Sequence, residues 1–213
     1  MQFPLPLVLL FYISFSNTLF ANRVSDDVKN QDSIKIERYL TKSRTYYTVK
    51  TDSAIYFANK ALQLSLKSNN QKLIINSQIE CFYNYSVNRD LTNAKEVLDE
   101  AKSIAYIIND SLSIGRVHSC LGYYYVLASK YDSAIAQYNK SLEISEAIKN
   151  NKNKINNLIG LGQVYYERGD FELALSKYVE AFQYNKVQDN KNTKLSILIS
   201  MANIYADEHQ REK

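Results

Sequence analysis

Proline is missing from the chain after residue 6. Its two prolines, Pro4 and Pro6, stand at the extreme N-terminus, and the 213 residues include only five glycines. Nothing beyond Pro6 can therefore break a helix by removing a backbone donor, which favours an all-α chain. Cysteine is scarce too. Cys81 and Cys120 are the only two, and with no Cys-x-x-Cys and only His118 and His209 as imidazoles, no metal site is expected. The two cysteines lie on neighbouring predicted helices. Packed helix axes stand about 8–10 Å apart and a disulfide wants Cα atoms within about 7 Å, so free thiols are expected. Charge of one sign is not gathered anywhere: 26 basic and 22 acidic residues are mixed throughout. A nucleic-acid binder collects its cations on one face, so no nucleic-acid partner is expected for this region.

Catalytic patterns are also missing. No Gly-rich phosphate loop follows a strand, and there is no His-Glu-x-x-His or Gly-x-Ser-x-Gly. Acidic pairs such as Asp99-Glu100 and Asp207-Glu208 are adjacent, which points them apart on a helix. The sequence thus offers no catalytic residue and asks for no cofactor.

What the chain does have is a period. Leu158, Leu161, Gly162 and Tyr165 follow helical spacing, and after the turn Glu167-Arg168-Gly169-Asp170 so do Ala174, Tyr178 and Ala181. Forty residues earlier stand Leu121, Gly122, Tyr125, Ala134, Tyr138 and Ser141; forty earlier again, Cys81, Phe82, Tyr85, Ala94, Leu98 and Ala101. Forty residues later come Met201, Ala202 and Tyr205. A fixed stride of this size marks stacked helical repeats. The Asn- and Asp-rich linkers Ser68-Asn69-Asn70, Asn109-Asp110-Ser111, Asn150-Asn151-Lys152-Asn153 and Asp189-Asn190-Lys191-Asn192 fall on the same stride. Helices are predicted over 33–49, 72–87, 90–108, 112–128, 130–149, 152–168, 170–187 and 192–209, and Thr51-Asp52-Ser53 opens one more. In the first pair Ala54 and Ala61 keep the register, but Lys42 and Thr45 stand where small and Tyr residues recur later.

Residues 1–21 differ from everything after them. The run LPLVLLFYISF over 5–15 is apolar, a polar patch follows, and Ala21 offers a small residue for cleavage. This pattern reads as a secretory signal peptide, although no cation precedes the apolar run. An uncleaved anchor is the alternative. Residues 22–32 read as a polar linker, and 33–213 as the repeat array.

The columns resemble the tetratricopeptide repeat, whose pattern is a large residue, Leu-Gly and Tyr in one helix, then Ala, an aromatic and Ala in the next. The match is nearly complete at Leu158–Ala181, good at Leu121 and moderate at Cys81. The resemblance implies a right-handed α-solenoid of stacked antiparallel helix pairs, with about four repeats plus a partial one. Two departures stand out: the period is 40 rather than 34, as in longer bacterial repeats of this kind, and Lys186 replaces the terminal Pro. The family's geometry also implies a concave face lined by the first helix of each pair. The residues it puts there are Asn76, Tyr83, Arg116, Tyr123, Asn156, Gln163, Tyr166 and Asn203, with Ile79 and Ser119 among them. Asn and Gln can pair with a peptide backbone, and Tyr gives rigid contact area. Arg116 is the only fixed cation of that set, so a clamp for a terminal carboxylate is not expected.

The last predicted helix is apolar on more than one side, through Leu195, Ile197, Leu198, Ile199, Met201 and Ile204. A capping helix should be polar outside, so either a partner covers it or the array continues past Lys213, and truncation is the expectation. Two functions stay open. One is an exported, non-catalytic module in the periplasm or cell envelope that binds a protein or peptide. The other is the sensory half of a membrane-tethered regulator whose histidine kinase or helix-turn-helix output is absent here. Membrane contact would come only through an uncleaved N-terminus or a missing C-terminal segment, and a cytoplasmic scaffold requires residues 1–21 to be retained.

Overall fold

Seven turns, spaced 20 residues apart, set the architecture. At Asn69, Arg89, Asn109, Ser129, Lys149, Gly169 and Asp189 the backbone enters the left-handed region, with φ between 45° and 81°. In five of these turns the following residue donates its backbone N–H to the carbonyl five positions back: Asp90 to Tyr85, Asp110 to Ala105, Lys130 to Tyr125, Asn150 to Ser145 and Asp170 to Tyr165. That bond closes one helix by satisfying a terminal carbonyl. The same residue then starts the next helix. Side-chain oxygens of Asn70, Asp90, Asp110, Asn150 and Asn190 accept the N–H of Leu73, Asn93, Ser113, Asn153 and Thr193 in turn. Lys130 alone lacks the chemistry for that task.

The computed structural model describes residues 31–47 and 49–211, the side chains of 187, 188 and 208–211 excepted. The expected leader over 1–21, and the linker as far as residue 30, lie outside them. All the regular structure among the described residues is helical: α1 over 31–46, α2 Thr51–Ser68, α3 Gln71–Val87, α4 Leu91–Ile107 and α5 Ser111–Leu127. Then follow α6 Tyr131–Ala147, α7 Asn151–Arg168, α8 Phe171–Gln188 and α9 Lys191–Arg211. Each begins or ends within two or three residues of the predicted limits. With no proline at Lys186, α8 does run on, to Gln188. No helix of the described residues is long and apolar enough to cross a membrane.

The chain divides into two units, up to Ser77 and from Gln78. In the first, Ile36, Leu40 and Ala61 form a small core, with Tyr39, Leu64 and Leu73 packed against it. Phe57 lies 6.1 Å from the ring of Tyr39 and 5.8 Å from that of Tyr46, with the Lys42 ammonium 5.0 Å from its centroid. An aromatic cluster roofed by a cation therefore replaces the later columns here, which accounts for Lys42 in place of a small residue.

In the second unit the columns are buried as the period requires. Ala94, Leu98, Ala101 and Ala105 of α4 are buried, as are Ala134, Tyr138, Ser141 and Ser145 of α6. Their counterparts Ala174, Tyr178, Ala181 and Asn185 of α8 are buried too. Small residues let the helices approach. A Cβ at Gly122 would stand 2.7 Å from the Tyr138 ring, and one at Gly162 would stand 2.9 Å from the Tyr178 ring. Gly160, which the sequence columns passed over, is tighter still: its Cβ would lie 2.4 Å from Tyr138. Tyr138 is thus held between the first helix of its own pair and that of the next. Tyr178 packs on Gly162 in the same register, one repeat later. Tyr125 and Tyr165 occupy matching, half-buried places in successive hairpins, and both pack against the Val126–Tyr138–Leu161 core. The first helices form the tighter layer. Among the described residues α5 packs on α7 and α7 on α9, while no such packing joins α4 to α6 or α6 to α8.

Both cysteines are buried free thiols. Burial pushes Cys81 up to about 12 and Cys120 up to about 11, which keeps both protonated.

Candidate functional face

The first-helix layer of the second unit carries seven of the eight expected groove residues. Asn76 belongs to the first unit, half-buried on α3. Five of the others fall into three local groupings. Tyr83 of α3 and Tyr123 of α5 stand 6.4 Å apart, and Phe82 meets Tyr123 edge-on at 6.1 Å. Between them the Cys120 thiol donates to the Tyr83 hydroxyl at 3.6 Å. The neighbouring thiol, and then burial, push the Tyr83 phenol well above its ordinary range, while Arg116 pulls the other way. The hydroxyl therefore stays neutral and can donate.

Arg116 and Asn156 meet in the second grouping. They line a cleft of about 320 Å³ at the N-terminal ends of α5 and α7, together with Leu112, Asn150, Lys152 and Asn153. Lys152 adds a second cation that the groove columns did not include. It lies four residues before Asn156, one turn beyond the repeat's own pattern, and its place in the linker hid it. Behind the cleft, Asn153 is tied into a hydrogen-bonded seam. Asn153 donates to the Ser141 and Ser145 hydroxyls at 3.1 and 2.8 Å, Asn157 donates to Ser141 at 2.8 Å, and Ser141 donates to the Gly115 carbonyl at 2.6 Å. This buried polar seam joins α5, α6 and α7.

In the third grouping the Tyr166 hydroxyl donates to Asp207 of α9, and its ring stacks on Phe171 at 5.8 Å. The bond to Asp207 raises the Tyr166 phenol above its usual value. In the sequence Asp207 shows only as half of an adjacent acidic pair, since its partner Tyr166 lies a whole repeat away. Gln163 is half-buried on α7 and Asn203 is exposed on α9; among the described residues neither joins these groupings. Ile79 departs from the expectation. It is only 4% exposed, turned into the core rather than toward the groove. No group of three or more His, Cys, Asp or Glu able to hold a metal occurs among the described residues.

The family model described as the tetratricopeptide repeat matches residues 113–186, which span the last turn-to-turn units around Gly122, Tyr138, Gly162 and Tyr178. These residues are tetratricopeptide repeats. Solved structures agree on the fold. The repeat array is similar to RapI in its apo form, with a TM-score of 0.64 and 20% identity over 84% of this chain and 50% of that one. It is also similar to a STAND signal-transduction ATPase with a tetratricopeptide repeat sensor from Pyrococcus horikoshii. There the TM-score is 0.68 and the identity 19%, over 95% of this chain and 31% of that one. A third is a Rap protein complexed with Competence and Sporulation Factor, at TM-score 0.67 and 13% identity over 95% of this chain and 62% of the other. The chain therefore spans between about a third and two-thirds of these proteins' lengths, and at such identities the likeness is one of fold. No curated protein sequence matches it.

Proposed function

We propose that this tetratricopeptide array is a non-catalytic module that binds a peptide or protein segment along the layer formed by α3, α5 and α7. The observation that carries the reading is the cleft at Arg116 and Asn156. It sets two cations, Arg116 and Lys152, around the exposed carboxamide of Asn156. Cations and carboxamides suit backbone carbonyls and acidic side chains, while Tyr supplies contact area at low entropic cost. The closer packing of the first helices, α5 on α7 and α7 on α9, supports a concave face, and the apolar run over 5–15 supports export to the cell envelope.

A second reading makes the array the input half of a signalling regulator. Its support is that one structural neighbour carries a tetratricopeptide repeat sensor and another is complexed with Competence and Sporulation Factor. The reading frame past Lys213 separates the two. An apolar span followed by a histidine kinase or helix-turn-helix pattern favours the second reading, and further repeats followed by a stop favour the first.

The groove is tested with a random 12-residue peptide display library. Selected peptides should lose at least tenfold in affinity for the Tyr123→Ala/Asn156→Ala double variant, with helicity by circular dichroism unchanged. Peptides that bind the double variant as well as the parent would remove the groove assignment.

A further inference from the structure

The outward side of α9 is built as an interface. Ile197 and Ile204 are fully buried, with Met201 beside them, in the cluster that joins α9 to α7 and α8. Leu195, Leu198, Ile199 and Tyr205 are 59, 44, 52 and 57% exposed, and Ala202 lies exposed among them. Their spacing puts Leu195, Leu198, Ala202 and Tyr205 on one helical stripe. Single exposed leucines need no explanation, but a continuous apolar stripe does.

The repeat says what covers it. One period earlier the same stripe is Ile155, Leu158, Gly162 and Tyr165 of α7. There Ile155 and Leu158 are 3% and 0% exposed, packed with Ala174, Tyr178 and Ala181 of α8. Gly162 lies under the Tyr178 ring. Gly122 of α5 lies under Tyr138 of α6 in the same way. The outward face of α9 thus continues, one step further along, an interface already formed twice.

We infer that this face docks a partner helix of the second-helix type, carrying small residues four before and three after one large apolar residue. The large residue is leucine rather than tyrosine. At position 202 α9 carries a methyl group where α5 and α7 carry hydrogen, and at Gly162 such a methyl would stand 2.9 Å from the opposing Tyr ring. Ala202 leaves room for a slimmer side chain, as in α4, where Ala94, Leu98 and Ala101 form the pattern.

The probe is a synthetic peptide of residues 90–108, with the α4 sequence. Its natural Lys95–Asp99 pair, 2.6 Å apart on the helix surface, is closed as a lactam. That bridge removes the nucleation cost which leaves isolated helices of this length marginal. Titrated by fluorescence anisotropy into the whole chain, it should bind saturably. Leu198→Lys or Ala202→Arg in the chain should weaken binding at least tenfold, without moving the thermal midpoint, since both sites are exposed. Leu98→Tyr in the peptide should weaken it as well. Absence of binding, or binding indifferent to the two chain variants, overturns the docking site. A tyrosine peptide that binds equally well overturns the stated partner chemistry. Sedimentation of the free chain as a dimer that Leu198→Lys dissociates would give the face to a second copy, and would also overturn the proposal.

Discussion

His118 is the residue whose surroundings make the sharpest demand on solution conditions. It is 3% exposed on α5, and both ring nitrogens are engaged, Nδ1 with Gln137 Oε1 at 2.7 Å and Nε2 with the Tyr106 hydroxyl at 2.9 Å. With a carbonyl oxygen facing Nδ1, the hydrogen sits there and Nε2 accepts from Tyr106. Burial lowers the imidazole below its ordinary 6.5; the bond to Gln137 opposes that, and Lys102 and Lys140 add to the lowering. In the window from 6.5 down to the depressed folded value, the unfolded chain binds more protons than the folded one. The stability this group confers is therefore complete above about 6.5 and falls as pH drops through that window. Urea midpoints at pH 7.5, 6.5 and 5.5 should decline, and His118→Gln should flatten the decline while keeping both neighbours supplied with a partner. An equally steep fall in the variant would assign the effect to other groups. Histidine was visible in the sequence only as an unlikely metal ligand. Its partners come from α4 and α6, 12 and 19 residues away in sequence, on helices whose facing sides the period alone does not pair.

At the scale of the helices, the 20-residue recurrence of left-handed turns explains which boundaries could be read. Linkers at Asn109-Asp110 and Asn150-Asn151 announce themselves by composition, because the residue that caps the next helix is Asn or Asp. The turn at Ser129 adopts the same conformation without that signature, since Lys130 stands where the others have Asn or Asp, so there the break rests on the repeat period rather than on composition. Gly169 is the one glycine among the seven. The other six place a side chain in a region that costs a non-glycine residue roughly 1–2 kcal/mol. Ser129→Gly should accordingly stabilise the chain by about 0.5–1 kcal/mol, once the added freedom of the unfolded state is subtracted. A urea titration reads this as a raised midpoint at constant slope; a lowered midpoint would mean the Ser129 side chain makes a compensating contact.

For the molecule as a whole, the columns of small and aromatic residues were legible and the connections across them were not. Gly122 and Gly162 stood out as places of close approach, yet nothing in the spacing said that Tyr138 is gripped from both sides, by Gly122 and Gly160. The seam of Ser141, Ser145, Asn153 and Asn157 was equally hidden, since each reads alone as an ordinary polar helix residue. Nor could the period foresee that α1 replaces the columns with rings around Phe57. Stacked repeats hold together through nearest neighbours only, so emptying one seam should weaken coupling as well as stability. Tyr138→Ala should cost about 3–5 kcal/mol and also lower the slope of a urea transition, as the helices on either side melt less in concert. A lost midpoint with unchanged slope would argue that α5, α6 and α7 are joined chiefly by their buried polar seam.

Because the first and second helices of each pair take equal spans between turns, the gene tolerates change in one increment and not in half of it. Inserting or deleting 40 codons returns every ring to a matching socket, while 20 codons would deliver tyrosines to the row that supplies the glycines. Arrays of this kind can lengthen or shorten during evolution only by whole hairpins.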